Sequence, residues 1–223
     1  MTRSRAVVFD VDGVLVDSLP AHLEMCVELG HEYGLELAIP SVSEFKRLVR
    51  RGVIISPMRE FFRAVGFPED LAHAADQEYE RSFAQRFSPL PFAGVADLLA
   101  SLRSAGIELG IVSSNTRANV EKALGPLLSA FGAGRVFTRD HATARTKKDA
   151  LAELALELPR SRILYVGDQP ADAQAARAAG LPFIGVTYGW GFAPGDEIVP
   201  GPVEGSVLVE SPEALAAYLI EAP

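Results

Sequence analysis

The chain has 223 residues, 48% of them hydrophobic and 22% charged, with 29 acidic against 21 basic residues and a formal net charge of −8. This length serves one large domain or two small ones, and the balance excludes a disordered, collagen-like or disulfide-stapled chain; the excess of negative charge disfavours a nucleic-acid partner. A single cysteine, Cys26, cannot form an internal disulfide and reads as a small buried apolar side chain of a protein from a reducing cytoplasm. No run approaches the roughly 18 apolar residues of a membrane span, and no signal-peptide pattern follows MTRSR, so the expectation is a soluble, unexported, cytoplasmic protein with no membrane partner.

The first predicted element is a strand, AVVFDV at 6–11. From about Leu19 to Phe87 only helical patterns follow, such as Leu71, Ala74, Ala75, Tyr79, Phe83 and Phe87 at spacings of three and four, and Gly34, Pro40, Gly52, Pro57, Gly66 and Pro68 divide the stretch into about four helices. The chain returns through SPLPFAG at 88–94. It then alternates helical patterns with apolar runs: Val95 to Leu102, IELGIV at 107–112, Val120 to Leu124, RVF at 135–137, Leu151 to Leu158 before Pro159, RILYVG at 162–167, an alanine-rich segment ending at Gly180, FIGV at 183–186 and VLV at 207–209. Near-continuous Val/Ile/Leu runs joined by helices are the pattern of a parallel sheet covered on both faces. The prediction is therefore an α/β domain interrupted after its first strand by an all-helical insertion, with linkers near Val16 to Pro20 and Ser88 to Gly94.

Polar groups collect where the strands end. Asp10 and Asp12, two residues apart and followed by Gly13, close the first strand, where an open α/β sheet places its ligands; either alone would pass as a strand-ending or turn residue. Ser113, Ser114 and Asn115 follow the second long run as helix caps or as anion contacts. Lys147 and Lys148 open a helix, against its macrodipole. Asp168 and Asp172 follow RILYVG, four apart across a helix start near Pro170.

The order DVDGVLVDS, IVSSN, TKKDAL and VGDQPAD, spread over the whole chain, resembles the four motifs of the haloacid dehalogenase superfamily, and the insertion is similar to the helical cap of its phosphoglycolate phosphatase and beta-phosphoglucomutase branch. The resemblance implies a doubly wound, mainly parallel, Rossmann-like core of residues 1–17 and 91–223 with a cap at 18–90. It implies that Asp10 is the nucleophile, Asp12 the general acid/base, Ser113 a phosphate ligand and Lys147 the phosphate-binding cation. Mg²⁺ would be held by Asp10, Asp168 and the main-chain carbonyl of Asp12, with Gly13, Ser114 and Asn115 bordering the phosphate. Asp172 is expected to orient Lys147 or to support the metal's waters. The common KPxP form of the lysine motif is absent. Lys147 is preferred to Lys148 because Leu151 follows it by four residues and because family members carry an Ala-Leu or Ala-Ile pair at this spacing.

The expected activity is Mg²⁺-dependent hydrolysis of a small phosphorylated metabolite through an aspartyl-phosphate. Asp12 argues against dehalogenation, since a departing halide needs no proton. A phosphomutase is the enzymatic alternative, resting on His22, which coincides with a histidine near the cap hinge of beta-phosphoglucomutases and several sugar phosphatases; packing beside Leu19, Leu23 and Cys26 explains it equally. An inactive relative that binds a phosphorylated ligand or a protein is the third reading. Arg47 and Arg51, four apart in the insertion, would suit a carboxylate or second phosphate on the substrate, or else a solvated helix face. The loop Tyr188-Gly189-Trp190-Gly191 is similar to loops that lie near the active site in this branch.

Overall fold

The computed structural model describes residues 5–144, 146–156, 162–198 and 207–221. The chain divides into two compact units, Met1–Asp17 with Leu90–Pro223 and Ser18–Pro89.

The second unit is helical throughout: α1 (Leu19–Glu32), α2 (Val42–Arg50), α3 (Met58–Ala64) and α4 (Glu69–Arg86). Ser41 and Glu44 form a reciprocal capping box at the start of α2, and the Pro and Gly positions read from the sequence fall between helices. The interior is aromatic. Phe45 and Phe61 lie 4.5 Å apart between ring centroids, Tyr79 and Phe83 4.7 Å, and the His22 ring stacks on Phe83 at 4.8 Å. Cys26 is buried in α1, and burial pushes its thiol well above the usual range, which keeps it unreactive. In α4 the buried stripe is Ala72, Ala75, Asp76, Tyr79 and Phe83, whereas the predicted Leu71 and Ala74 are only partly covered. Stepping back from Phe83 by four, four and three residues leads to Ala72, which leaves Leu71 on the edge of that face.

The first unit contains β1 (Ala6–Phe9), β2 (Val16–Asp17), β3 (Leu90–Pro91), β4 (Glu108–Val112), β5 (Val136–Phe137), β6 (Ile163–Gly167), β7 (Phe183–Val186) and β8 (Val207–Val209). Among the described residues, six strands make one parallel sheet in the order β5-β4-β1-β6-β7-β8. The helices are α5 (Val95–Ser104), α6 (Arg117–Leu124), α7 (Lys147–Leu154), α8 (Pro170–Ala179) and α9 (Pro212–Glu221). Val7, Phe9, Ile111, Val166, Ile184 and Val186 pack on one face with α5, α6 and α9, while Val8, Val112, Ile163, Tyr165 and Phe183 pack on the other with α7 and α8. Each fully buried side chain of this kind contributes about 1.5–3 kcal/mol, so two such layers offset the several kcal/mol that each carboxylate buried at the strand ends costs.

One feature escaped the periodicity. The stretches read as linkers contain a short antiparallel ribbon in which Val16 opposes Pro91 and Asp17 opposes Leu90, with Phe92 N–H donating to the Leu15 carbonyl at 3.0 Å. Two residues per strand, one a proline, carry no alternation to detect. The helical pattern predicted to run to Leu158 before Pro159 ends sooner, since α7 closes at Leu154 and is followed by a turn at 155–156, and 157–161 lie outside the described residues.

The strand order reverses at β1: from it the chain moves outward through β4 to β5, then returns to its other side for β6, β7 and β8. The carboxyl ends of β1, β4 and β6 therefore border the crevice at which doubly wound sheets bind ligands.

Candidate active site

β1 ends at Phe9 and delivers Asp10 next, 3% exposed, with Oδ1 accepting from the Val11 N–H at 2.7 Å. The main chain then turns at Gly13, whose φ of +80° favours glycine and whose missing Cβ would lie 2.3 Å from Asp168 Oδ2. β6 presents Asp168 in the same way, and α8 starts two residues later, with Asp172 in its first turn. Asp168 is fully buried and Asp172 is 1% exposed.

Lys147 joins these acids. Thr146 caps α7 by accepting from the Asp149 N–H at 3.1 Å, and Ala150, Leu151 and Leu154 are buried. That packing orients the first turn so that Lys147 Nζ donates to Asp10 Oδ2 at 2.5 Å and to Asp172 Oδ1 at 2.6 Å. Lys148 is exposed. Of the two lysines, Lys147 is the one brought to the acids, where Asp172 accepts from it. Asp172 is fully engaged: Tyr165 Oη donates to Oδ1 at 3.3 Å, and the N–H groups of Asp168 and Gln169 donate to Oδ2 at 3.2 and 3.1 Å. It holds the helix start and the lysine together.

Three buried carboxylates against one ammonium leave an excess of negative charge. Burial raises Asp10 to about 7 against the pull of Lys147, and raises Asp168 well above the carboxylate range, with Asp172 and Asp10 adding to it. Burial also opposes the ammonium of Lys147, but Asp10 and Asp172 overcome it and hold the lysine above its usual range. Side-chain oxygens of Asp10, Asp168 and Asp172 lie within 4.8 Å of one another. Asp168 Oδ2 accepts from the Trp190 N–H at 2.7 Å, whereas Oδ1 is buried without a protein partner. Hard oxygen donors, surplus negative charge and an unsatisfied carboxylate oxygen together fit a divalent cation. Asp12 stands apart from this cluster: it is half-buried, and its Oδ2 accepts from Asn115 Nδ2 at 2.9 Å.

The segment after β4 differs from its simplest reading. The N-cap of α6 is Thr116, not Ser113, Ser114 or Asn115. Ser113 is buried and its Oγ accepts from the Asn115 N–H at 3.1 Å, Ser114 is exposed, and Asn115 spends its amide on Asp12 and on the start of α6. His22 lies in the helical unit, with its Nε2 3.0 Å from Tyr79 Oη and its ring against Phe61, Tyr79 and Phe83. Arg47 and Arg51 are exposed in that unit and line, with Ala38, Ile39, Pro40, Glu44 and Leu48, a hollow of about 390 Å³.

Sequence reasoning passed over Tyr165 and Asn119, and it placed the loop of Gly189 near the site without its contact to Asp168. Tyr165 is the one aromatic in an aliphatic strand, which was a usable signal. Asn119 stands four residues after Asn115, one helical turn on. A Cβ on Gly189 would lie 2.4 Å from both Asp168 Cβ and the Gly13 carbonyl oxygen, a close approach that no local pattern announces.

A sequence profile of haloacid dehalogenase-like hydrolases matches residues 4–180. Among curated relatives, a phosphoglycolate phosphatase of Synechococcus elongatus is 32% identical over 197 residues, covering 84% of this chain and 85% of its own. An N-acetylmuramic acid 6-phosphate phosphatase of Pseudomonas aeruginosa is 28% identical over 97% of this chain and 95% of its own. A haloacid dehalogenase-like hydrolase of Streptococcus pneumoniae superposes with a TM-score of 0.76 at 21% identity, over 98% of this chain and all of its own. Among the described residues, no helix is long and apolar enough to cross a membrane.

Proposed function

This chain belongs to the haloacid dehalogenase-like hydrolases and is a phosphoric monoester hydrolase, and we propose that it is a Mg²⁺-dependent phosphatase acting on a small phosphorylated metabolite through an aspartyl-phosphate on Asp10. The single observation that carries the reading is Lys147 joined to Asp10 and Asp172 beside the unsatisfied oxygen of Asp168, all at the carboxyl edge of β1 and β6.

Asp168, whose Oδ1 is buried without a protein partner, and Asp10 beside it would hold the cation together with the Asp12 carbonyl, while Asp172 holds Lys147 and the start of α8. Bound there, Mg²⁺ neutralises charge that would otherwise repel the phosphate from Asp10. Asp10 attacks phosphorus, dividing the transfer into two steps. Asp12 gives a proton to the departing alkoxide and later takes one from the water that cleaves the acyl phosphate. Lys147 and Ser113 stabilise the equatorial phosphoryl oxygens. The helical unit at 18–89 serves as a cap that selects the substrate, with Arg47 and Arg51 as contacts to a second anionic group.

The relatives' names support two first substrates, 2-phosphoglycolate and N-acetylmuramic acid 6-phosphate. The test measures Mg²⁺-dependent phosphate release from these, from sugar phosphates and from p-nitrophenyl phosphate, for the wild type and Asp10→Asn. The variant is nearly isosteric but lacks the attacking charge, so its kcat should fall by at least about 1,000-fold, some 4 kcal/mol at 1.36 per decade. Retention of more than about a tenth of wild-type kcat removes Asp10 from the nucleophile's role; release that is unaffected by EDTA removes the metal.

A further inference from the structure

The proton-transfer reading leaves open what fixes the carboxylate of Asp12. It is half-buried and outside the metal-type cluster, and its position decides whether a proton can reach the leaving oxygen. Its contact to Asn115 Nδ2 is 2.9 Å long. An amide can turn over, presenting its oxygen where the N–H₂ was, and an oxygen there would repel the carboxylate. Two donors prevent that turn. Asn115 Oδ1 accepts from the Thr116 N–H at 2.8 Å and from Asn119 Nδ2 at 2.7 Å, so the opposite, donating edge must face Asp12. Asn119 is 3% exposed on α6, anchored by its own N–H to the Thr116 hydroxyl at 3.4 Å and flanked by the buried Val120.

We infer that Asn119 is a positioning residue for proton transfer: through Asn115 it sets the orientation of the Asp12 carboxyl. A buried asparagine with no route to the reaction except a neighbour's amide is otherwise an expensive choice on a helix face, because burying an amide without full pairing costs more than an apolar residue of the same size. Asparagine has a specific use here, since its amide is the second donor, beside the Thr116 N–H, that holds the Asn115 oxygen away from Asp12. The inference rests on the assignment of Asp12 as the acid. In that step the Asp10 carboxylate forms a bond to phosphorus, the phosphorus–oxygen bond of the ester breaks, and the Asp12 proton passes to the departing oxygen, so that an alcohol leaves.

The experiment is a leaving-group series. Values of kcat/KM, which report formation of the acyl phosphate, are measured for p-nitrophenyl, phenyl and p-methoxyphenyl phosphates, in order of increasingly poor leaving groups, in the wild type, Asp12→Asn, Asn119→Ala and the volume-matched Asn119→Leu. A good leaving group needs little protonation. The Asn119 variants should therefore stay within about two-fold of wild type on p-nitrophenyl phosphate and lose about ten-fold on p-methoxyphenyl phosphate, part of the 100- to 10,000-fold that a general acid supplies. Added to Asp12→Asn, Asn119→Leu should cost nothing further on any ester. Equal losses across the series, or none, overturn the inference while Asp12→Asn still shows the selective loss. If Asp12→Asn itself is unselective, the acid assignment has failed and the inference falls with it. Asn119→Leu keeps the test decisive should Asn119→Ala not fold.

Discussion

Lys147 Nζ lies 2.5 Å from Asp10 Oδ2, although 137 residues separate the two in sequence. The contact depends on β1 ending beside β4 and β6 and on α7 packing with its first turn toward that edge. It brings Lys147, and not the exposed Lys148, to the acid, and it sets the first prediction. Lys147→Ala should lower kcat/KM by at least about 100-fold, as expected for removing one preorganised donor to the transition-state oxygens, while Lys148→Ala stays within about two-fold. The opposite ranking in steady-state kinetics would transfer the role to Lys148.

The charge imbalance of the acidic cluster has consequences for the protein without substrate. Asp10 is pushed up to about 7 by burial, so between its unfolded value near 4 and about 7 the folded state binds more protons than the unfolded state. The sign is the reverse of the usual salt-bridged aspartate: metal-free stability should fall as pH rises through that window. Saturating Mg²⁺ should remove the slope and raise the unfolding temperature, at about 2–4 °C per kcal/mol, because a cation that binds only the folded chain stabilises it by mass action. Asp168→Asn should be more stable than wild type without metal and indifferent to Mg²⁺. Thermal unfolding across pH, with and without Mg²⁺, checks all three; a wild type unmoved by Mg²⁺ would mean that the cluster holds no cation.

A third expectation concerns the backbone around Asp168. Gly189 and Gly13 pack so tightly against its side chain that a methyl group at Gly189 must displace either Asp168 or the turn after β1. Gly189→Ala should destabilise the chain by about 1–3 kcal/mol, the usual cost of overpacking. It should also abolish the Mg²⁺-induced shift. Gly134, where a Cβ would meet nothing within 4 Å, is the control. Wild-type metal response in Gly189→Ala would show that the loop after β7 yields without moving Asp168.

The sequence exposed what is local and repetitive. Buried parallel strands read as apolar runs, and the acids that follow them stand out because Asp is unfavourable in such runs, which is why Asp10, Asp12 and Asp168 are legible in the sequence. The absence of strands between Leu19 and Phe87 was equally visible, since periodicity reports it directly. Relationships that arise only when the chain closes were not. Capping and metal-type roles for Asp172 look alike in one dimension, and its two oxygens divide between helix start and lysine only in three. Asn115 resembles an anion contact by type, yet its amide faces Asp12. The approach of Gly189 to Gly13 and the ribbon of β2 and β3 join segments more than 70 residues apart in sequence, for which no periodic signal exists.

The last prediction separates hydrolase from mutase. Both reactions form the same acyl phosphate, and they part over whether water or a sugar hydroxyl takes the phosphoryl group. His22 was the residue that favoured the mutase. It is 3% exposed, its Nε2 pairs with Tyr79, and its ring lies within 5.5 Å of the Phe61, Tyr79 and Phe83 rings, so packing of the helical unit accounts for it. His22→Phe, which keeps the aromatic volume, should alter kcat by no more than about three-fold, whereas His22→Ala should cost about 2–4 kcal/mol of stability through the cavity it leaves. Inorganic phosphate released should equal ester consumed for every substrate turned over. The decisive measurement is NMR of beta-glucose 1-phosphate primed with the 1,6-bisphosphate: glucose 6-phosphate accumulating faster than free phosphate would reverse the assignment, and a large kcat loss in a stably folded His22→Phe would return the histidine to the chemistry.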